Sequence, residues 1–515
     1  MKKILLITAS VFILIYLALT LALYTYVTPE RLSNLANGML NDKLKVEIQS
    51  VTVQPLRRSF VLGDVRLTAS DQELDVVLFS AGELSIRNIG ILSALNGDVS
   101  IGRLTADHYF LDLTILPDQS TTSYSGRTSA PIYIGSFDLQ NGELNFSAGT
   151  DGTANMTGVN ATAGSFTYDP DLEEEPDLFT QFQDVEAAIE RIAYRFKGDR
   201  YLLQADSLIV SEGRSAITLV DFSMATVLSE QEFFSSLDVR EELFHIDISG
   251  LNINNIDFSS LRKNGDLKTE TVSADSLNLH VTLNKRIPAR TNPDTIPLPL
   301  QNMNNLPMTV ALDSLIIRNG NILYSEYDEK GTRPGTIHFA RTQATGLNIN
   351  NISDDPVVFK ARSYLEETGL LETEIRLFTD ASGHVTTVTG SLGEFDLTRL
   401  NNIFMDLEGL EITEGRVYNL EFDYRMNELS SSGSVQIHYD RFNMKRVDRD
   451  DYHQNLGNRI SGLFMNQIVM RSSSMDKNQE FRAGIVSAER DPEKGFFNYL
   501  WISLRSGLLD TVSRI

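Results

Sequence analysis

The sequence predicts a mainly β protein: an N-terminal transmembrane helix, an elongated, twisted antiparallel β-groove shaped as a half-pipe, and a C-terminal amphipathic helix. Three observations predict it. Long stretches alternate apolar and polar residues with a period of two, the pattern of strands with one apolar and one wet face. One strand unit recurs: GLNINNI stands at Gly250 to Ile256 and again at Gly346 to Ile352, and ADSLIV, ADSLNL and ALDSLII open at Ala205, Ala274 and Ala311. Such repetition marks a fold that lengthens by copying one unit. Finally, amphipathic helices are few, so the apolar sheet face must be hidden by a second sheet, by closure, or by acyl chains filling the half-pipe.

In chain order, the run from Ile4 to Val27 carries no charge. As a helix it would measure about 36 Å and cover a hydrocarbon core of about 30 Å. The following YTYVTPERL has no small-residue cleavage site, so residues 1–27 read as an uncleaved anchor. Lys2 and Lys3 place the short end in the cytoplasm. ERLSNLANGMLNDKL sets Leu32, Leu35, Met39 and Leu40 at helical spacing, which predicts a helix just outside the membrane.

From Val46 the period becomes two, and residues 28–286 form the first part of the groove. In HYFLDLTIL, Tyr109, Leu111, Leu113 and Ile115 share a face. In SLNLHVTLN, Leu277, Leu279, Val281 and Leu283 oppose Asn278, His280 and Thr282. QDVEAAIERIAYRF near Val185 fits a short helix or a strand, and LSEQEFFSSLD near Leu228 fits a short helix. Asn-Gly at Asn141 and Asn319 and Glu-Gly at Glu414 read as turns. Pro288, Pro293, Pro297, Pro299 and Pro307 make residues 287–309 an extended connector, because proline cannot donate to a sheet ladder. Residues 310–486 are the second part of the groove, where SVQIHYDRF places Val435, Ile437 and Tyr439 on one side. These eleven apolar residues are the expected groove lining.

Residues 487–515 combine a polar hinge, AERDPEKG, with a helix that sets Phe497, Leu500, Trp501, Leu504, Leu508 and Val512 on one face. Two roles fit it: a lid over the last strands, or a distal contact with the outer membrane or an envelope protein. With only Arg505 and Arg514 as cations, attraction to anionic lipid is weak, which favours the lid.

The net charge of −24 repels phosphate backbones, and no basic cluster offsets it, so nucleic acid is excluded as a partner. With no cysteine there is no disulfide and no thiolate metal site. GxSxG, GxxxxGK[ST] and HExxH are absent, and His108, His245, His280, His338, His384, His438 and His453 are scattered. The acidic loop Asp169 to Asp177 lacks EF-hand spacing. The reading is a protein that is not an enzyme, with no catalytic residues, metal or cofactor.

The segments FDLQNGELNFS (Phe137 to Ser147), DSLIIRNGNILYSE (Asp313 to Glu326) and GLEITEGRVYNLEFDY (Gly409 to Tyr424) share one form, as does the region from Gly390 to Lys445. In these segments the chain resembles the AsmA-like family of Gram-negative envelope proteins, including relatives of TamB and YhdP. Gly320, Leu400, Asn401, Gly415, Gly433 and Tyr439 stand where the family pattern has them. The resemblance implies a single-pass inner-membrane protein whose periplasmic groove carries phospholipid between the membranes. Its partners would be phospholipid acyl chains, the inner membrane through residues 4–27, and an outer-membrane or envelope protein at the far end. The competing readings are an assembly factor for outer-membrane proteins, working by strand addition at exposed edges, and a structural tether.

Overall fold

The computed structural model describes residues 26–39, 44–54, 57–71, 74–90, 99–115, 132–148, 152–168, 182–291, 295–329, 331, 333–381, 383–446, 473–474 and 483–512. The expected anchor, apart from Tyr26 and Val27, and the acidic loop lie outside these residues. Among the described residues no helix is long and apolar enough to cross a membrane.

The chain divides into two compact units, Met1–Val220 and Asp221–Ile515. The first opens with the helix Pro29–Met39. Its strands are β1 (Leu44–Gln54), β2 (Ser59–Asp71), β3 (Leu74–Ile89), β4 (Val99–Ile115), β5 (Ile132–Ile134), β6 (Phe137–Ala148), β7 (Gly152–Ala163), β8 (Phe166–Tyr168), β9 (Glu186–Ile189), β10 (Arg191–Phe196), β11 (Tyr201–Ala205), β12 (Ser207–Ser211) and β13 (Ala216–Val220). β1 to β4 form an antiparallel meander, β5 and β6 then join β4 in parallel, and antiparallel pairing resumes. Its core is Ala81, Ala106, Tyr109, Val159 and Ile189.

The second unit holds β14 (Phe222–Thr226), β15 (Glu242–Ser249), β16 (Leu251–Asn254), β17 (Leu267–Ala274), β18 (Ser276–Asn284), β19 (Val310–Tyr327), β20 (Pro334–Asn350), β21 (Val357–Leu365), β22 (Gly369–Asp380), β23 (Gly383–Leu392), β24 (Phe395–Asp396), β25 (Leu410–Met426), β26 (Ser430–Arg446) and β27 (Ala483–Glu489). β17 and β18 both run parallel to β19, and the other pairings are antiparallel. The sheets are therefore mixed, which corrects the antiparallel expectation. Each unit contains a crossover that returns the chain to the same end before the next strand, and such a connection makes its two strands parallel.

Local readings need two further corrections and one choice between alternatives. Asn141-Gly142, Asn319-Gly320 and Glu414-Gly415 do not turn the chain; each sits inside one strand, where the pairing register slips. They are β-bulges, which bend strands as long as the 18 residues of β19 without ending them. Of the helix and strand readings open for QDVEAAIERIAYRF, the strand holds: it forms β9 and β10, because ladders with β7, β11 and β12 outweigh its helical propensity. The proline-rich segment, though mostly irregular, contains the short helix Pro299–Asn304, with Pro299 in the first turn where its missing N–H costs nothing. It crosses within the second unit. The Ile296 amide donates to the Pro492 carbonyl at 2.8 Å, Gln301 bonds Glu428 at 3.0 Å, and the Arg490 guanidinium donates to the Ile296 carbonyl. LSEQEFFSSLD does form a helix, Glu230–Ser235, closed by a capping box between Ser229 and Glu232.

The two GLNINNI copies take different conformations. Gly250 adopts φ +60 between β15 and β16, and Ile256 is buried. Gly346 lies within β20, and Ile352 is 66% exposed.

Candidate functional site

The expected lining residues fall in three places. In the first unit, Tyr109 is buried in the core, its hydroxyl bonded to the Val159 carbonyl at 3.3 Å, and burial pushes its pKa up to about 12. Leu111 lies on the same face, paired with Phe79 and Leu144. The side chains of Leu113 and Ile115 lie outside the described ones.

In the second unit, Val435, Ile437 and Tyr439 are 0%, 7% and 1% exposed. They belong to a core that the helix Phe496–Val512 covers, so they line no open surface. Of the expected stripe, Leu500, Leu504, Leu508 and Val512 pack against this core, but Phe497 and Trp501 do not. Tyr499, Ser503, Gly507 and Thr511 are buried, while Phe497 is 82% and Trp501 49% exposed. Small residues win the contact because the helix backbone comes close to the sheet: a Cβ on Gly507 would stand 2.6 Å from Val435 Cγ2, and one on Gly484 would strike the Gly507 carbonyl. The helix also occupies the edge of β27, whose Ile485 and Ser487 amides donate to Asp510 at 2.9 Å and Ser506 at 3.0 Å.

Leu277, Leu279, Val281 and Leu283 are different: all four are half-buried. The register makes them the centre of a four-strand face. Ile248, Leu277, Gly320 and Thr342 form one row across β15, β18, β19 and β20. Ile246, Leu279, Ile322 and Phe339 form the next, followed by Phe244, Val281, Tyr324 and Ile337. The fourth row changes character, with Glu242, Leu283 and Glu326 beside Gly335. At about 3.3 Å per residue and about 4.8 Å between strands, the face measures roughly 20 by 14 Å. Over Gly335 lie Leu407 and Ile403 of the helical segment Leu397–Glu408.

The fourth row opens onto a mixed charged cluster. Lys285 pairs with Glu326, and the Tyr324 hydroxyl donates to Glu326 at 2.7 Å. Desolvation raises the Glu408 carboxyl pKa against the pull of Arg505 and Lys285, and lowers that of Arg505. Glu242 is exposed, yet the protein packed around it raises its carboxyl by desolvation.

The opposite face of the unit is polar. Leu243 and Thr282, partners there, are each 2% exposed, and Glu230 of the helix Glu230–Ser235 accepts from Tyr327 at 2.8 Å. His280, expected to be solvated, lies opposite His245 and bonds Ser325 at 2.9 Å. Ser325 is only 4% exposed, which argues for a structural contact and against an activated nucleophile. Further along, Lys360 with Glu374 and Arg362 with Glu372 line an open concavity of about 790 Å³. Among the described residues no group of three or more potential ligands is placed to hold a metal.

The expected motif residues have structural places. Gly320 is a bulge position, and Gly415 packs against Leu397 and Phe442. Gly433, at φ +157, lies where a Cβ would meet the Asp423 carbonyl. Leu400 packs on the core, and Asn401 exchanges two hydrogen bonds, 2.9 and 2.7 Å, with the Ile412 backbone. Asn37 makes the same pair of bonds to Val46 in the first unit. No protein-family model matches the sequence, and no curated protein matches it.

Proposed function

We propose that this protein binds phospholipid acyl chains along the apolar face of its β-sheets, as an inner-membrane-anchored, periplasmic carrier of lipid between the two membranes. The observation that carries the reading is the register of Ile246, Leu279, Ile322 and Phe339, with the rows on either side. It places a contiguous apolar face on four strands and leaves its central leucines half-buried. A face of this kind is stabilised by apolar occupancy at about 25 cal/mol per Å² removed from water. The resemblance to the AsmA-like family and the uncharged run from Ile4 to Val27 support the membrane setting. Strand addition at an open edge is less well supported, since the C-terminal helix already satisfies two outward amides of β27. The test is mass spectrometry of lipids that co-purify with the full chain. Phospholipid retained by the wild type and lost in Leu279→Asp supports the reading. A lipid-free wild type, or a variant that keeps its lipid, contradicts it.

A further inference from the structure

The two ends of the second unit's long strands differ. At one end the connections from β19 to β20, β21 to β22 and β23 to β24 read DEKGTR, EET and GE, with no apolar side chain among them. At the other end, just beyond the row Val357, Leu377, Thr386 and Met426, four segments hold large apolar side chains in water. Ile296 and Leu306 belong to the proline-rich connector, Ile352 to the β20–β21 loop, Leu429 to the β25–β26 turn and Phe497 to the first turn of the C-terminal helix; all five are exposed, Leu429 by 78% and Phe497 by 82%.

Hydrogen bonds join these segments into one surface. The Arg490 amide donates to the Leu429 carbonyl and the Ile296 amide to the Pro492 carbonyl, both at 2.8 Å, and the Tyr499 hydroxyl donates to the Asn427 carbonyl at 3.2 Å. Gln301 reaches Glu428, while the Asn351 amide group donates to the Met303 and Met308 carbonyls at 3.3 and 2.9 Å. Leu298, buried in the core beneath the C-terminal helix, pins the connector between them. One exposed leucine is ordinary; a set gathered from separate segments at one end, with none in the loops opposite, marks a contact surface.

The form of the set indicates what it meets. Its side chains stand on turns and a helix end, separated by Asn427, Glu428 and Ser353, so they project singly. A protein partner would need a matching pocket for each, whereas a bilayer accepts them at any spacing. Around Leu429 and Phe497 the charges balance: Lys494 pairs with Asp491, Arg425 with Asp380 and His384 with Glu428, and Glu489 and Glu493 stand beside Arg490. With no basic excess, this end suits a zwitterionic lipid surface better than an anionic one. Trp501, one turn behind Phe497 and half exposed, is placed for the headgroup layer.

We infer that this end of the second unit is a membrane-docking surface, at which Phe497, Leu429 and Ile296 enter the interface of a zwitterionic phospholipid bilayer with Leu306 and Ile352 beside them. The inference goes beyond the lipid-binding reading and uses none of the residues that carry it.

The experiment reconstitutes the full chain in vesicles of dioleoyl phosphatidylcholine and adds fluorescent, protein-free vesicles of the same lipid. The wild type should tether them, so that they float together. Leu429→Asp combined with Phe497→Asp should cut tethering at least about tenfold. Both positions are mostly exposed and an aspartate suits the first turn of a helix, so this variant should melt with the wild type. The chain has no cysteine, so a polarity-sensitive dye can be placed on Leu429→Cys, where it should shift to the blue on tethering, or on Glu367→Cys at the opposite end, where it should not. A wild type that tethers no vesicles, tethering unchanged in the double variant, or equal shifts at the two dyes overturns the docking surface; so does a Phe497 photo-crosslinker in cells that captures an envelope protein and no lipid. A chain that co-purifies with lipid but tethers nothing loses this inference alone, and a lipid-free chain that tethers loses the carrier reading alone.

Discussion

Two regions of the second unit carry the same sequence pattern and meet opposite fates. Val435, Ile437 and Tyr439 alternate with polar residues as regularly as Leu277, Leu279 and Val281 do, yet the first set is a sealed core and the second a half-open face. The difference comes from the cover. Over β25 to β27 the helix Phe496–Val512 descends on small residues until Gly507 touches Val435 and Val486. Over β19 and β20 the segment ending at Glu408 lies at the end near Gly335, and Leu277, Leu279 and Val281 stay half-buried. Alternation thus identifies which side chains share a face, and residues far away in sequence decide whether water reaches it.

The sharpest way to break the contrast is a charge on each face. Ile437→Asp should destabilise the full chain by about 3–5 kcal/mol, because an unpaired charge would be trapped beneath the helix. Leu279→Asp should cost about 1 kcal/mol or less, since its carboxylate can reach water. Urea unfolding of both variants measures the gap.

Gly507→Val comes next. The added side chain would meet Val435 and Val486, and overpacking of this kind typically costs about 1–3 kcal/mol. The same measurement on Leu508→Val, a flanking position, should show a smaller loss. Asp510→Ala should follow at about 1 kcal/mol by freeing the Ile485 amide, with faster hydrogen exchange at Ile485 as its signature.

The smallest effect belongs to the charged end of the open face. The Glu408 carboxyl is raised in the folded protein, so its contribution is fully present below the unfolded carboxyl pKa and is lost as pH rises through the folded value. Glu408→Gln should therefore melt with the wild type near pH 4 and slightly above it near pH 7.5. A variant less stable at neutral pH would show that the Arg505 contact outweighs desolvation.

Much of this organisation was legible in the sequence, and the losses have physical causes. Period two located the faces of Leu277 to Leu283 and of Val435 to Tyr439, because alternation is local. It could not show that Asn319-Gly320 bends β19 instead of reversing it, since a bulge and a turn use the same residues and differ only in what pairs outside them. The helix face was legible in Leu500, Leu504, Leu508 and Val512, which pack on the core, but not at its centre: Phe497 and Trp501 look like anchors, while a close approach to the sheet selects Ser503, Gly507 and Thr511. The charged cluster was invisible because Glu242, Lys285, Glu326, Glu408 and Arg505 are assembled by the fold from five separate segments. Asn37 and Asn401 left a usable signal, an asparagine in a helix shortly before a strand whose backbone it bonds.

The most direct test of the account places a photo-crosslinking residue at Leu279, Asn278 or Ile437 of the full-length protein in cells and identifies what is captured. Phospholipid adducts at Leu279, with little at Asn278 on the opposite face and little at Ile437 beneath the helix, are the predicted result. Equal labelling at Leu279 and Asn278, or none at Leu279, would contradict the claim that this apolar face is where lipid binds.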